Sequence, residues 1–209
     1  MRIHAIVQAR MGSTRLPGKV MMEVHGRPLI GWLVERLKLA QTIDKVIVAI
    51  PECDRDSPLA EYIKGRCSHY IGDEENDLCA RFLGAIKKYP CDAFARICGD
   101  SPLIDPDIVD LVVNAFVGAG CCFMSNVGLK VYPPGQSVEV CSVANYRDLV
   151  RLCAPEDREH GGFPFAYRTI ARQSMLVDTQ ADFERVKMAI ERTGGYAGYV
   201  ECSNALLPS

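Results

Sequence analysis

Strand-like and helix-like segments alternate along the first 120 residues of this 209-residue chain. The strand-like segments are short, nearly continuous apolar runs, and the clearest of them are Ile3–Val7, Lys45–Ile50 and Ala93–Cys98. A run that is apolar at almost every position is typical of a strand buried on both faces. Regular alternation of such strands with helices predicts a mostly parallel, twisted sheet with helices on both faces, which is a three-layer α/β/α fold.

The other elements follow from apolar spacing and from capping and turn residues. Helices are predicted from Pro28 to about Ala40, Pro58 to about Arg66, Asp77 to about Lys88, Asp105 to about Val117, Val143 to about Cys153 and Ala181 to about Arg192. Further strands are predicted at residues 121–125, 138–142 and 174–177, with a short extended piece at residues 20–24 and another short piece at residues 69–71. Asp56 or Ser57 is expected to cap the second helix. No repeat, low-complexity tract or linker divides the chain, so residues 1–209 are predicted to form a single domain.

The composition restricts the class of protein. Hydrophobic residues make up 48% of the chain and the formal net charge is -2, so the sequence can build a core but lacks the positive charge of a general nucleic-acid binder. No apolar run reaches the roughly 18 to 20 residues of a membrane span, and the first residues do not resemble a signal peptide. We therefore expect a cytoplasmic protein with no membrane or nucleic-acid partner.

The ten cysteines allow three interpretations. A disulfide framework is typical of small secreted domains, and a zinc site usually shows paired cysteines at C-x2-C spacing, which this chain lacks. Several cysteines, such as Cys98, Cys141 and Cys153, lie instead inside apolar segments. The pattern favours reduced thiols that act as small hydrophobic residues in the core.

A basic loop, Gln8–Lys19, directly follows the first strand. Three cations, Arg10, Arg15 and Lys19, lie within ten residues, with two glycines and two hydroxyl residues between them. Glycine lets backbone amides approach an anion closely, and arginine and lysine both bind phosphate oxygens. The loop matches neither the GxxxxGK[ST] nor the GxGxxG phosphate-binding pattern. From its composition alone, it can be a triphosphate site or a solvated turn.

Two aspartates follow other predicted strands. Asp100 comes after Ala93–Cys98, and Asp178 comes after the strand predicted at residues 174–177. Ligands of open α/β sheets bind at the carboxyl ends of the strands, so both carboxylates are expected to lie near the basic loop. Mg²⁺ is usually bound by one or two carboxylates together with phosphate oxygens and water. Structural roles remain open, because Asp100 can shape a turn and Asp178 can cap the last helix.

Several segments resemble motifs of one enzyme family. The basic loop resembles the amino-terminal signature of the sugar-acid cytidylyltransferases, which make CMP-sialate and CMP-3-deoxy-manno-octulosonate. Gly99–Leu103 is similar to the second motif of that family, and Val177–Phe183 resembles a late motif, with Phe183 where leucine is usual. The subgroup involved in spore-coat polysaccharide synthesis is the most similar, on three further segments: Gly72–Leu78, Pro134–Val140 and Asp157–His160.

The resemblance implies a nucleotide-diphospho-sugar transferase-like fold and a set of site residues. It implies that Arg10, Lys19 and Asp100 are catalytic, and that CTP is bound by Ala9, Arg10, Ser13, Arg15 and Lys19. It implies Mg²⁺ as the cofactor, held by Asp100 and Asp178. Residues 1–120 then form the nucleotide-binding half, and residues 121–209 form the acceptor-binding half with the last metal ligand.

The acceptor half is less closely specified. The resemblance implies that Glu139, Arg158 and His160 contact a sugar acid, although His160 can equally be a solvated loop histidine. The acidic run Asp73–Asp77 is predicted to be a helix N-terminal cluster rather than a ligand site. The chain is shorter than is usual in the family, whose acceptor half also carries dimer contacts, and it has Gly161–Phe165 where the subgroup more often has a threonine-proline stretch. A homodimer is therefore a family-based expectation.

The implied reaction is transfer of CMP from CTP to a sugar-acid hydroxyl, with release of pyrophosphate, in surface-polysaccharide synthesis. Two alternatives remain open from the sequence. One is a transferase on the same scaffold that uses another nucleoside triphosphate with a sugar phosphate, or a glycosyltransferase. The other is a non-catalytic nucleotide-binding protein.

Overall fold

The computed structural model describes residues 1–72, 75–127, 132–164 and 166. Its strands are β1 (Ile3–Gln8), β2 (Glu23–Val24), β3 (Arg27–Pro28), β4 (Lys45–Ile50), β5 (Ser68–Ile71), β6 (Ala93–Cys98), β7 (Phe123–Ser125) and β8 (Glu139–Ser142). Its α-helices are α1 (Leu29–Leu37), α2 (Ser57–Ile63), α3 (Leu78–Lys88), α4 (Pro106–Ala119) and α5 (Val143–Leu152). In the part of the chain that the structure describes, 3₁₀ helices lie at Lys19–Met21, Asp54–Asp56 and Pro155–His160.

Within the described residues, the central sheet has six strands in the order β5-β4-β1-β6-β8-β7. Strands β5, β4, β1 and β6 are parallel to one another, whereas β8 runs antiparallel to both of its neighbours. The carboxyl ends of β1, β4, β5, β6 and β7 therefore lie at one edge of the sheet, together with the start of β8. The predicted mostly parallel α/β sheet is confirmed.

Side chains of β1 alternate between two apolar layers. Ile3, Ala5 and Val7 pack with α1, α2 and α4 on one face, and Ile6 packs with α3 and α5 on the other. The second layer contains an aromatic cluster in which Phe94 and Tyr146 meet edge to face, with ring centroids 4.9 Å apart. The predicted arrangement of helices on both faces of the sheet is thus observed.

Most predicted elements are present with small shifts at their ends, and α2 is an example. This helix ends at Ile63, three residues before the predicted boundary, and Gly65 adopts a left-handed conformation with φ of 78° just beyond it. Asp56 lies at the N-cap position of α2, but its side chain makes no capping hydrogen bond, so that predicted role is wrong. The strand predicted at residues 174–177, the last helix and Asp178 lie outside the described residues.

The cysteines in the described part of the chain are free thiols, as the sequence indicates. Cys79, Cys121 and Cys141 are buried, and burial raises the pKa of the Cys141 thiol to about 12. These side chains therefore behave as neutral core residues. Across the described segments, no helix is both long enough and apolar enough to cross a membrane.

Candidate nucleotide-binding site

The candidate site lies where β1, β4 and β6 end together. The register pairs Gln8, the last residue of β1, with Ala49 of β4 and Cys98 of β6. Backbone bonds extend this alignment past the strands, because the Gly99 amide donates to the Gln8 carbonyl at 2.8 Å. A Cβ at Gly99 would lie only 2.6 Å from that oxygen, so glycine permits this approach. Asp100 is thereby placed beside the start of the basic loop.

The basic loop is closed by hydrogen bonds to one backbone carbonyl. The Met11 carbonyl accepts from the amides of Ser13 and Gly18, both at 2.9 Å. Gly18 has φ of 71°, a left-handed conformation that glycine adopts at little cost. The closed loop brings Arg10 and Lys19 back to the same edge of the sheet. Arg15 lies on the outer, exposed part of the loop.

Lys19 and Asp100 form an ion pair between the Lys19 Nζ and Asp100 Oδ2 atoms. Their side chains are 30% and 46% exposed, so both remain accessible to a ligand. The predicted phosphate-binding cation and the predicted metal-binding carboxylate are therefore in direct contact. Both charged groups remain in contact with water, so each can leave the other and bind a ligand.

Arg10 lies between two carboxylates. Its guanidinium nitrogens are 3.4 Å from Glu75 Oε1 and 3.4 Å from Glu159 Oε1. Glu75 also pairs with Arg55. These contacts surround a cavity of about 80 Å³, which Gln8, Ala9, Leu78, Arg81 and His160 also line. In this structure, carboxylate oxygens hold the cation that the sequence assigns to a phosphate.

Glu139 is buried in an ion pair with Arg96. The Arg96 Nε atom also donates to Gln8 Oε1 at 2.8 Å, and its guanidinium lies 5.2 Å from the ring centroid of Phe163. This network links the ends of β1 and β6 to the start of β8. Glu139 is predicted to contact the acceptor. In the structure it is 2% exposed and lies beneath the site. Its assignment to the acceptor remains a prediction.

Arg158 is joined to the N-terminus of α3. Its Nε and Nη2 atoms donate to Asp77 Oδ2 at 3.0 and 2.8 Å, while Asp77 Oδ1 accepts from the Ala80 amide at 2.9 Å. The hydrogen bond to Asp77 raises the pKa of Arg158. The pair holds the 3₁₀ helix Pro155–His160 against α3, and His160 on that helix lines the cavity beside Arg10.

Two glutamates that contact Arg10, Glu75 and Glu159, are not among the site residues predicted from the sequence. Asp77 caps α3, as expected of a helix N-terminal cluster, but Glu75 from the same cluster pairs with Arg10. Glu159 lies between the predicted residues Arg158 and His160. Its adjacency to these two acceptor candidates is the sequence signal that points to it. The contacts of both glutamates depend on how distant segments pack together.

The side chains present suit a divalent cation that also binds phosphate. Asp100 supplies one accessible carboxylate, and Mg²⁺ usually takes one or two carboxylates plus phosphate oxygens and water. Within residues 1–72, 75–127, 132–164 and 166, no group of three or more His, Cys, Asp or Glu side chains is arranged to hold a metal. Asp100 alone fits a cation that takes its other oxygen ligands from phosphate and water.

Comparison with known proteins gives the family. Residues 4–190 match the family model described as "Cytidylyltransferase". The chain belongs to the cytidylyltransferase family. The predicted resemblance is confirmed, and the protein is an enzyme of the cytidylyltransferase type.

Individual relatives agree with this cytidylyltransferase assignment. The chain is 29% identical over 211 residues to the spore coat polysaccharide biosynthesis protein SpsF of Bacillus subtilis, an alignment covering 90% of this chain and 86% of the relative. It is 30% identical over 180 residues to the 3-deoxy-manno-octulosonate cytidylyltransferase of Bdellovibrio bacteriovorus, covering 83% and 67%. A solved cytidylyltransferase from Leptospira borgpetersenii superposes with a TM-score of 0.76 at 31% identity, covering 97% of this chain and 92% of that one.

Proposed function

We propose that this cytidylyltransferase transfers CMP from CTP to a sugar acid in polysaccharide synthesis, depends on Mg²⁺ and releases pyrophosphate. The observation that carries the proposal is the contact of Lys19 with Asp100 where β1 and β6 end, with Arg10 lining a cavity just after the end of β1. Two cations and an accessible carboxylate beside a closed backbone loop provide partners for a triphosphate and its metal. The 3-deoxy-manno-octulosonate cytidylyltransferase relative supports a sugar acid as the acceptor, and the SpsF relative supports a role in polysaccharide synthesis.

Binding of the triphosphate requires an exchange of partners. Arg10 is paired with two glutamates and Lys19 with Asp100, so the phosphates of CTP replace carboxylates on both cations. Ser13 and Arg15, on the outer part of the basic loop, add a hydroxyl and a further cation. The backbone near Ala9, which lines the cavity beside Arg10, contacts the cytosine base.

Asp100, with Asp178, would hold Mg²⁺, which when bound offsets the negative charge of the phosphates. The acceptor hydroxyl forms a bond to the α-phosphorus, and the bond from that phosphorus to the bridging oxygen of pyrophosphate breaks. Arg10 and Lys19 stabilise the charge that develops on the leaving pyrophosphate. No covalent intermediate with the enzyme is needed, so these residues act by positioning and charge stabilisation.

Arg158 and His160 are proposed to face the acceptor. Arg158 is a cation suited to a carboxylate, and its pairing with Asp77 fixes the helix that carries His160. His160 is exposed at the cavity, where an imidazole can orient an acceptor hydroxyl or accept its proton.

Pyrophosphate release tests the proposal. Purified protein is incubated with CTP, Mg²⁺ and a panel of sugar acids, and parallel reactions contain ATP, GTP or UTP. We expect pyrophosphate and a CMP-sugar product only with CTP and one class of acceptor. Absence of turnover across the panel, together with no CTP binding by calorimetry, would contradict the proposed function. Turnover with another nucleotide and a sugar phosphate would replace it with a different transferase reaction.

A further inference from the structure

Asp56 is a buried carboxylate behind the basic loop. It is 1% exposed, and its Oδ1 atom accepts a hydrogen bond from the Met11 amide at 2.5 Å. Its Oδ2 atom is also buried and has no hydrogen-bond partner in the described part of the chain. Burying a carboxylate without a hydrogen bond to each oxygen costs free energy. An apolar residue would therefore suit this position better unless the carboxylate oxygen that accepts from Met11 has a role.

Capping of α2 is not that role. Asp56 lies at the N-cap position, yet its side chain makes no bond to the helix and reaches 45 positions back along the sequence to Met11. Burial raises the pKa of Asp56, and the bond from the Met11 amide acts in the opposite direction. The charged groups that face it are Arg55 on its own 3₁₀ helix and Glu75 and Arg81 from the neighbouring segment.

Met11 is the residue through which the basic loop is closed. Its carbonyl accepts from the amides of Ser13 and Gly18, and its own amide donates to Asp56. The Met11 side chain also packs against the core. Met11, which closes the loop, is therefore fixed at both its carbonyl and its amide, and Asp56 supplies the contact that comes from another element.

The neighbouring residue supports the same part of the loop. Arg55 pairs with Glu75, and a Cβ at Gly12 would lie 2.2 Å from Glu75 Oε1 and 2.4 Å from Arg55 Nη2. Immediately after Met11, the loop therefore packs closely against the segment that follows β4. A shift of Met11 would change the positions of Arg10 and Lys19 on either side of it.

We propose that Asp56 is a positioning residue for triphosphate binding, which holds the basic loop in its closed form through the Met11 amide. The proposal rests on the proposed CTP site, and it assigns to Asp56 no contact with the nucleotide. The effect of Asp56 should accordingly depend on how many phosphates the ligand carries. A loop that is not held loses contacts to the β- and γ-phosphates, whereas the cytidine part is affected less.

The experiment compares two nucleotides and three variants. Calorimetry with Mg²⁺ gives the Kd of CTP and of CMP for the wild type, Asp56→Leu, Asp56→Asn and Asp44→Leu. Leucine fills a similar volume without an acceptor, whereas asparagine keeps an acceptor oxygen for the Met11 amide. Asp44 is the matched control, because its Oδ2 atom accepts from the Ile3 amide at 2.6 Å at the opposite end of β1. No acceptor sugar is needed.

We expect Asp56→Leu to weaken CTP binding about tenfold or more and CMP binding by less than about threefold, because a lost bond to a buried acceptor corresponds to roughly that change. Asp56→Asn should restore most of the wild-type ratio of the Kd for CMP to the Kd for CTP. Asp44→Leu should lower stability without changing the ratio of the two Kd values. A purely structural role for Asp56 would reduce the folded fraction and leave that ratio unchanged.

Each contrary outcome has a distinct meaning. A wild-type Kd ratio in a folded Asp56→Leu protein would overturn the inference while leaving the CTP site intact. If Asp56→Leu does not fold, Asp56→Asn decides, and a loss of CTP preference there would overturn the role assigned to the acceptor oxygen. Failure of the wild type to bind CTP at all would overturn the proposed function, and the inference with it.

Discussion

Individual residues in the site are paired with one another in the positions where ligands are proposed to bind. Asp100 contacts Lys19, and both side chains are partly exposed. We predict that Asp100→Asn lowers kcat for pyrophosphate release about 100-fold or more, because charge stabilisation of the reacting phosphates is usually worth that much. Stability should change by no more than about 1 kcal/mol, since the lost ion pair is screened by solvent. Steady-state kinetics and urea denaturation measure the two effects.

Asp148→Asn is the control for Asp100→Asn. It removes another exposed ion pair, between Asp148 and Arg151 on α5. This variant should match the wild type in both kcat and stability. Wild-type turnover by Asp100→Asn would remove Asp100 from the mechanism. A large loss of stability would show that its main role is structural.

Among the elements, the 3₁₀ helix Pro155–His160 joins the two proposed substrate regions. Glu159 on this helix pairs with Arg10 and is exposed, so it competes with phosphate more than it stabilises the fold. We predict that Glu159→Gln tightens CTP binding about two- to fivefold, with a larger effect at low ionic strength. Calorimetry at two salt concentrations measures this. Glu156→Gln, on the same helix, should leave the Kd unchanged, and weaker CTP binding by Glu159→Gln would contradict the competition.

Attachment of the same helix to α3 gives a second element-scale prediction. Asp77 both caps α3 and binds Arg158, and asparagine can replace the first role but not the ion pair. We predict that Asp77→Asn raises KM for the acceptor about tenfold, because Arg158 and His160 lose their fixed position. Its free energy of unfolding should fall by about 1 kcal/mol or less. Kinetics at saturating CTP and chemical denaturation test both.

Loss of a helix cap has to be separated from loss of the ion pair. Asp77→Ala removes both and should be about 1 kcal/mol less stable than Asp77→Asn. Ser142→Ala removes the cap of α5, where the Ser142 hydroxyl accepts from the Asn145 amide at 3.3 Å. This control should lower stability by a similar amount without raising KM for the acceptor. Equal KM values for Asp77→Asn and the wild type would contradict the positioning role of the pair.

For the whole molecule, the apolar runs of β1, β4 and β6 predict the parallel sheet and the edge where the site lies. That is because the carboxyl ends of parallel strands must meet. The hydrogen-bond and ion-pair partners of individual side chains are harder to predict from the sequence. Asp56 satisfies the local pattern of a helix cap but bonds instead to Met11, and the sequence does not predict the buried ion pair of Glu139 with Arg96. Both outcomes depend on the register of strands that are far apart in the sequence.

Stability of the whole molecule should depend on pH through His4. This histidine is 3% exposed in the middle strand β1, and its Nδ1 atom has no partner among the described residues. Burial lowers the pKa of His4 below its ordinary value of 6.5. A hydrogen bond with the Ile3 backbone and the charge of Asp44 oppose this shift, and Lys45 and Arg2 add to it. Above pH 6.5 the folded and unfolded forms are both neutral at His4. As the pH falls from 6.5 towards the lowered pKa, the unfolded chain binds a proton first and stability is lost.

Replacement of His4 should therefore reduce the acid-side decrease in stability. Urea denaturation at pH 7.5 and pH 5.5 gives the difference in unfolding free energy, and each unit by which the pKa is lowered contributes at most about 1.4 kcal/mol to it. We expect His4→Gln to be less stable than the wild type at pH 7.5 but to lose less stability between the two values. His25→Asn is the control, because His25 is exposed in a turn with φ of 52°, which asparagine tolerates. If the wild type and His4→Gln lose equal amounts of unfolding free energy between the two pH values, groups other than His4 govern the acid destabilisation.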